Sequence, residues 1–273
     1  MARPTIRIDR REYPAGTVVR VSVDNQRKLN ILDSGLVRLL TKHLRQLASQ
    51  QAVRAIVLTG EGERAFIGGA DMREMAGLEP DSARKFITAL HELCLRLREH
   101  PVPIIARING YCLGGGMEIA ASCDLRVASK NAKFGMPEVR VGIPSVIEAA
   151  LLPRIIGAGR ARDLVLTGDI ISADDAYAMG FVRRPVALCD LDTAVEQCLA
   201  SVLAAGASAI RDQKALFKHW DADSLEDAIG ASVDFFVDAY RTPEPERMMR
   251  SFLSGRPAGA SEASEPSDDP TSS

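Results

Sequence analysis

The 273-residue sequence has only five cysteines (Cys94, Cys112, Cys123, Cys189 and Cys198). Their odd number and the lack of any CxxC spacing argue against a disulfide framework and a zinc site, and point to a reducing compartment. Neither sign of charge predominates. Lys and Arg total 34 against 36 Asp and Glu, a net charge of −2, and aromatic residues make up only 5%. With no basic patch or interleaved aromatics, a nucleic-acid or anionic-membrane partner is not expected. No apolar run reaches the roughly 18 residues of a membrane span. The opening "MARPTIRIDRREYPAGTVVRVSVD" has no apolar core ahead of a cleavage site and contains acids, unlike a targeting peptide. Four histidines (His43, His91, His100, His219) fall on helical stretches or their ends and receive no chemical role. Neither glycine-rich loop spells GxGxxG or GxxxxGK[ST], so a nucleotide-phosphate loop is a weak reading. A soluble, cytoplasmic protein with a small-molecule partner remains, and an apolar fraction of 46% is ordinary for a globular chain.

The first half alternates strands with helices. Two strands are expected in "TIRIDRREYPAGTVVRVSV", joined near Pro14-Ala15-Gly16. From Ser34, residues Leu36, Val37, Leu40, Leu44 and Leu47 form one helical stripe. "VRAIVLTG" reads as a buried strand. A helix within Asp81 to Arg98 precedes the strand "PVPIIARING", whose prolines are confined to its entry, and "DLRVAS" and "KFGMPE" are further extended pieces. This alternation predicts an α/β domain with ligands gathered at strand ends. Beyond Pro144 the pattern turns helical: Ser145 to Ile156, Gly159 to Thr167, Ser172 to Met179, Asp192 to Ala204, Ser208 to Lys218, Ser224 to Tyr240 and Pro245 to Leu253. Capping boxes or their aspartate equivalents mark three starts, at Ser145/Glu148, Ser172/Asp175 and Ser224/Asp227. The tail from Pro257 is small, polar and acidic, and is expected to be disordered.

Two loops share a design. "AFIGGADMREM" runs from a strand through Gly68 and Gly69 into a helix starting near Asp71; "NGYCLGGGMEI" passes through Gly114, Gly115 and Gly116 into a helix carrying Glu118. At a helix N-terminus, backbone N–H groups lack intrahelical partners and the dipole is positive. Such loops can hold an oxygen that becomes negative during reaction, although glycines also occur wherever a helix packs closely on a strand. Glu118 lies among apolar and small neighbours, and Glu138 follows Pro137 in a turn between apolar segments. Carboxylates so placed take up protons readily and suit acid or base work, while a lone one is more ordinarily a cap or a solvated turn residue. Cys112 reads as a small buried thiol.

The segments "AFIGGADM", "INGYCLGGGMEIAASCDLRVAS", "AKFGMPEVRVGIP", "LPRIIG" and "LTGDIISADDAYAMGFV" resemble, in order and spacing, the crotonase (enoyl-CoA hydratase/isomerase) superfamily over roughly Thr5 to Arg256. The resemblance implies an α/β spiral of ββα units over residues 1–200, a C-terminal helical trimerisation region over 201–256, and a tail over 257–273. It implies a homotrimer or dimer of trimers, an acyl-CoA substrate, and neither metal nor cofactor beyond that CoA. By the same resemblance the amides of Ala70 and Gly115 form an oxyanion hole for the thioester oxygen. Glu118 orients and activates water, and Glu138 exchanges the proton at Cα. Retention of both glutamates favours hydration of a 2-enoyl-CoA; an isomerase, a thioester hydrolase or a non-catalytic RNA-binding relative are the alternatives. Arg27, Lys28 and Arg73, with Gly68, Gly69, Asp71 and Gly114, are candidate CoA and substrate contacts, the three cations being equally readable as solvated surface charge. Phe252 and Arg256 fall where relatives supply an aromatic and a basic residue from a neighbouring subunit.

One stretch departs from the resemblance. Many hydratases read IPGAGGTQRLPR where this chain reads "IPSVIEAALLPR". Ser145 and Glu148 read as a capping box; alternatively Glu148 borders the acyl pocket, reading a polar substrate tail or serving as a further acid. Val146 and Ile147 are expected to shorten the acyl chain accepted.

Overall fold

A computed structural model describes residues 4–254. The strands are β1 (Thr5–Tyr13), β2 (Gly16–Asp24), β3 (Val53–Gly60), β4 (Ala65–Ile67), β5 (Ile104–Ile108), β6 (Tyr111–Leu113), β7 (Leu125–Ala128), β8 (Lys133–Gly135) and β9 (Ile170–Ser172). They form two sheets, a five-stranded one ordered β1-β2-β3-β5-β7 and a four-stranded one ordered β4-β6-β8-β9. Among the described residues, only β1 with β2 and β8 with β9 pair antiparallel. The chain crosses from the first sheet to the second at each turn, β3 to β4, β5 to β6 and β7 to β8, which is the ββα spiral expected of the resemblance.

The helices are α1 (Ser34–Ala48), α2 (Met72–Met75), α3 (Pro80–Arg98), α4 (Gly115–Ala121), α5 (Leu152–Ile156), α6 (Ala158–Thr167), α7 (Ala173–Ala178), α8 (Leu191–Ala204), α9 (Ala207–Ala222), α10 (Leu225–Ala239) and α11 (Glu244–Ser254). All five stripe residues of α1 are buried, and Asp33 caps it by accepting from the Leu36 N–H at 2.8 Å. The edge strand β1 is largely exposed, whereas β2, β3 and β5 are buried on both faces, with successive residues pointing to opposite sides. Val19, Ile56, Leu58 and Ile104 face the core under α1 and α3, while Val18, Ala55, Val57 and Ile105 face Leu191, Val195 and Leu199 of α8. Lys214 of α9 is buried against the core through a 2.6 Å contact with Asp124. No single helix among the described residues is long and apolar enough to cross a membrane.

The capping at Ser172/Asp175 and the Ser224 cap accepting from the Asp227 N–H are as expected. The helix expected from Ser145 is not. Residues 147–151 form a 3-10 turn with no side-chain cap, and α5 begins only at Leu152. Ile147 has φ 42°, a conformation foreign to a helix, and both residues of the supposed capping box bond elsewhere. Strand β9 interrupts the helical second half. The expected tail at 257–273 lies outside the described residues.

Candidate active site

The two glycine loops run side by side at the ends of β4 and β6. In the first, the Gly68 N–H donates to the Leu29 carbonyl at 2.9 Å and the Asp71 N–H to the Leu32 carbonyl at 2.8 Å. The Ala70 N–H between them donates to no backbone carbonyl among the described residues. In the second, the Gly114 N–H donates to Gly135, and Gly115 is the first residue of α4, where an N–H has no intrahelical acceptor. A β-carbon at Gly69 would stand 3.4 Å from the Leu113 carbonyl oxygen, so the loops touch. Ala70, Gly114, Gly115 and Glu138 line one cleft of about 290 Å³, with Gly68, Gly69, Met72 and Met75.

The three glycines have different physical causes. Gly116 is the helix-on-strand contact, since a β-carbon there would stand 2.1 Å from the Ile67 carbonyl oxygen. Gly114 is required twice over: its φ of 51° with ψ of −125° suits glycine, and a β-carbon would come within 2.5 Å of Glu138 Oε1. Gly115 carries the amide that opens α4.

Both carboxylates converge on this turn. Glu118 is 4% exposed, its Oε1 accepts from the Ala149 N–H at 3.1 Å, and its Oε2 lies 3.9 Å from the β-position of Gly115. Burial raises its pKa from 4.5 to about 8; the Ala149 hydrogen bond opposes this, and the charges of Glu138 and Glu148 add to it. Glu138 stands on the 3-10 turn Pro137–Val141, and its Oε2 accepts from the Ser145 hydroxyl at 2.9 Å, leaving Oε1 toward Gly114. The segment 145–149 thus holds one oxygen of each carboxylate and leaves the other facing the glycine turn.

Lys28 Nζ contacts Asp71 Oδ2 at 3.1 Å, and Asp71 caps α2 by accepting from the Arg73 N–H. This contact lays the 26–28 turn bearing Arg27 against the start of α2, where Arg73 is exposed. Val146 lines a neighbouring apolar groove of about 400 Å³ with Ser145 and Ile147. Glu148 borders neither cleft. It is 3% exposed, with Oε1 at 2.9 Å from His91 Nδ1 and 3.5 Å from Arg98 Nη1. The capping-box reading of Ser145/Glu148 is therefore corrected: the hydroxyl serves Glu138 and the carboxylate is drawn to α3. His91, given no role from sequence, is Glu148's partner. Cys112 is buried, donates to the Gly116 carbonyl at 3.4 Å, and burial puts its thiol well above the usual range, as a non-nucleophilic thiol requires. Phe252 of α11 is exposed, and Arg256 lies outside the described residues.

Sequence reasoning missed the Ser145 hydroxyl, the Ala149 amide and the apolar wall of Met72 and Met75. The motif "ADMREM" carried a signal for the last, two methionines flanking the loop. Nothing local announced the others.

The Ala70 amide, which has no backbone acceptor among the described residues, and the first amide of α4 open on one cleft with Glu138, and the buried Glu118 stands beside the same glycine turn. Such an arrangement can steady an enolate-like oxygen while protons are exchanged. The comparisons agree with this chemistry. The family model described as enoyl-CoA hydratase/isomerase matches residues 14–259. The chain is 31% identical over 242 residues to a short-chain-enoyl-CoA hydratase of Clostridium acetobutylicum, covering 88% of this chain and 93% of that one. It is 34% identical over 238 residues to a crotonyl-CoA hydratase of Syntrophomonas wolfei, covering 86% and 91%. The crystal structure of an enoyl-CoA hydratase from Bacillus anthracis superimposes with a TM-score of 0.87 at 29% identity, covering 93% and 97%. The chain belongs to the enoyl-CoA hydratase/isomerase family of the crotonase superfamily.

Proposed function

We propose that the protein is an enoyl-CoA hydratase, adding water reversibly to a 2-enoyl-CoA to give a 3-hydroxyacyl-CoA. The observation that carries this reading is the pair Glu118 and Glu138, each with one oxygen held by the segment 145–149 and the other set against the amide-bearing glycines. In this reading the Ala70 and Gly115 amides hold the thioester oxygen. Glu118 takes a proton from water as the water oxygen bonds to Cβ, and Glu138 delivers a proton to Cα. Hydration thus leaves Glu118 with one proton more, taken from water, and Glu138 with one fewer, given to Cα; exchange with solvent resets the pair for the next turnover, and dehydration runs the same steps in reverse. Burial makes Glu118 the stronger base once ionised, and because it holds its proton up to about pH 8 the base form, and with it the hydration rate, is expected to grow as pH rises toward that value. As drawn, the reaction calls for no cofactor beyond the CoA of the substrate. Arg27, Lys28 and Arg73 stand beside the first loop as contacts for the CoA phosphates.

The reading extends to assembly and compartment. Leu225, Ile229, Val233, Phe236 and Tyr240 form an exposed stripe along α10 at spacings of three and four, and Phe252 and Leu253 are exposed on α11. Copies of the same chain would cover these surfaces in a trimer or dimer of trimers. The free thiols, four of five buried, fit the cytoplasm.

The test is purified protein with crotonyl-CoA, following loss of the conjugated thioester absorbance and product mass. The expected result is a product heavier by one water, with Glu118→Gln and Glu138→Gln each lowering kcat by roughly 100-fold or more. Mass-neutral conversion would indicate an isomerase and free CoA a hydrolase; either would overturn the reading.

A further inference from the structure

Glu148 is a buried carboxylate beside the site with no part in the reaction as drawn. Its anchors, His91 and Arg98, are seven residues apart on α3, two turns along one helix face, and both reach Oε1. Oε2 has no hydrogen-bond partner among the described residues. Since an unpaired charge is costly to bury, the tie to α3 fixes where residue 148 can stand.

Its two neighbours show what that position serves. Ile147 has φ 42°, an uncommon and strained conformation for a β-branched residue. Ala149 presents its N–H to Glu118 Oε1 at 3.1 Å. Were the tie released, Ile147 would relax toward negative φ and the Ala149 N–H would turn away from Glu118. We propose that Glu148 is a positioning residue: anchored on His91 and Arg98, it keeps Ile147 in its left-handed conformation so that the Ala149 amide fixes Glu118 for proton transfer. This inference rests on the reading of Glu118 as the residue that takes the proton from water.

The experiment measures kcat and KM for crotonyl-CoA hydration, and Tm, for Glu148→Ala, Glu148→Gln, Glu148→Ala with Ile147→Gly, and His91→Ala. Glu118→Gln is the control. Glu148→Ala is expected to lose about tenfold or more in kcat with KM within about twofold, as when one orienting hydrogen bond is lost. Adding Ile147→Gly is expected to restore most of that loss, because glycine keeps positive φ without an anchor. Glu148→Gln retains Oε1 as an acceptor for Arg98 and is expected to stay within about threefold of wild type. A purely structural part for Glu148 would lower Tm without the rescue. Wild-type kcat in Glu148→Ala, or an equal loss with and without Ile147→Gly, overturns the proposal. Should Glu148→Ala not fold, His91→Ala decides, since His91 is exposed: a severalfold fall in kcat at unchanged KM supports the anchor, and unchanged kcat refutes it. An inactive Glu118→Gln beside a fully active Glu148→Ala would sink the anchor alone. A fully active Glu118→Gln would remove the parent reading as well.

Discussion

The proton on Glu118 should be visible in the stability of the whole fold. Folded Glu118 titrates at about 8 against an ordinary 4.5, chiefly because the ionised form is buried. Below pH 4.5 the group is protonated in both states and its full stabilising contribution is present. As pH rises further the unfolded chain releases the proton while the folded one keeps it, so stability is lost until about pH 8, where the folded form ionises too. At about 1.4 kcal/mol per pH unit, the interval amounts to about 5 kcal/mol, a large share of a typical domain's stability. Glu118→Gln removes the titration yet keeps an acceptor for the Ala149 N–H. Urea unfolding of both proteins between about pH 5 and 9, at one protein concentration, cancels the other titrating groups in the difference. The variant should overtake wild type progressively as pH rises and stop gaining above about pH 8. A difference that stays flat across this range would show that Glu118 titrates like a solvated carboxylate, and would remove the physical basis for the strong-base role proposed for it.

Two further outcomes follow from geometry. Gly114→Ala places a β-carbon 2.5 Å from Glu138 Oε1 on backbone with φ 51°. Positive-φ strain of about 1–2 kcal/mol, relieved by shifting the turn and Glu138 with it, corresponds to a kcat loss of about five- to thirtyfold, and steady-state kinetics retaining wild-type values would contradict the placement of Glu138 against the glycine turn. Val233→Asp with Phe236→Asp puts two charges on the exposed α10 stripe. Sedimentation velocity should show monomer for this variant and a larger species for wild type, whereas an unchanged assembly would exclude the α10 face as the contact.

The inner strands β2, β3 and β5 of the large sheet were legible because both of their faces are buried, which leaves continuous apolar and β-branched runs such as "VRAIVLTG". In the small sheet β8 was legible within "KFGMPE", while β6 and β9 were not read as strands of their own, since three residues are too few to display a period. The glycine loops and the two glutamates stood out through their residue types, and the structure brings Ala70, Gly115, Glu118 and Glu138 to one place. The segment after Pro144 misled because Ser-x-x-Glu is a genuine capping signal. A cap forms only if the next residues turn helical, and here Ile147 takes positive φ instead. His91 lies 57 positions from Glu148, a separation at which no local rule pairs two side chains.

That segment also explains why the glycine-rich form found in many relatives is not needed. What the site takes from residues 145–149 is two donors at fixed positions: a hydroxyl on Glu138 Oε2 and an amide on Glu118 Oε1. A bare backbone can supply amides alone, whereas Ser145 adds a side-chain hydroxyl that donates to Glu138 Oε2. With side chains present, the turn at Ile147 is strained, and a tether from Glu148 to α3 offsets that strain. Because Glu118 and Glu138 are both held by one short stretch, a shift of its backbone moves them together. The spacing between the two carboxylates is thereby preserved better than if each were held by a separate loop.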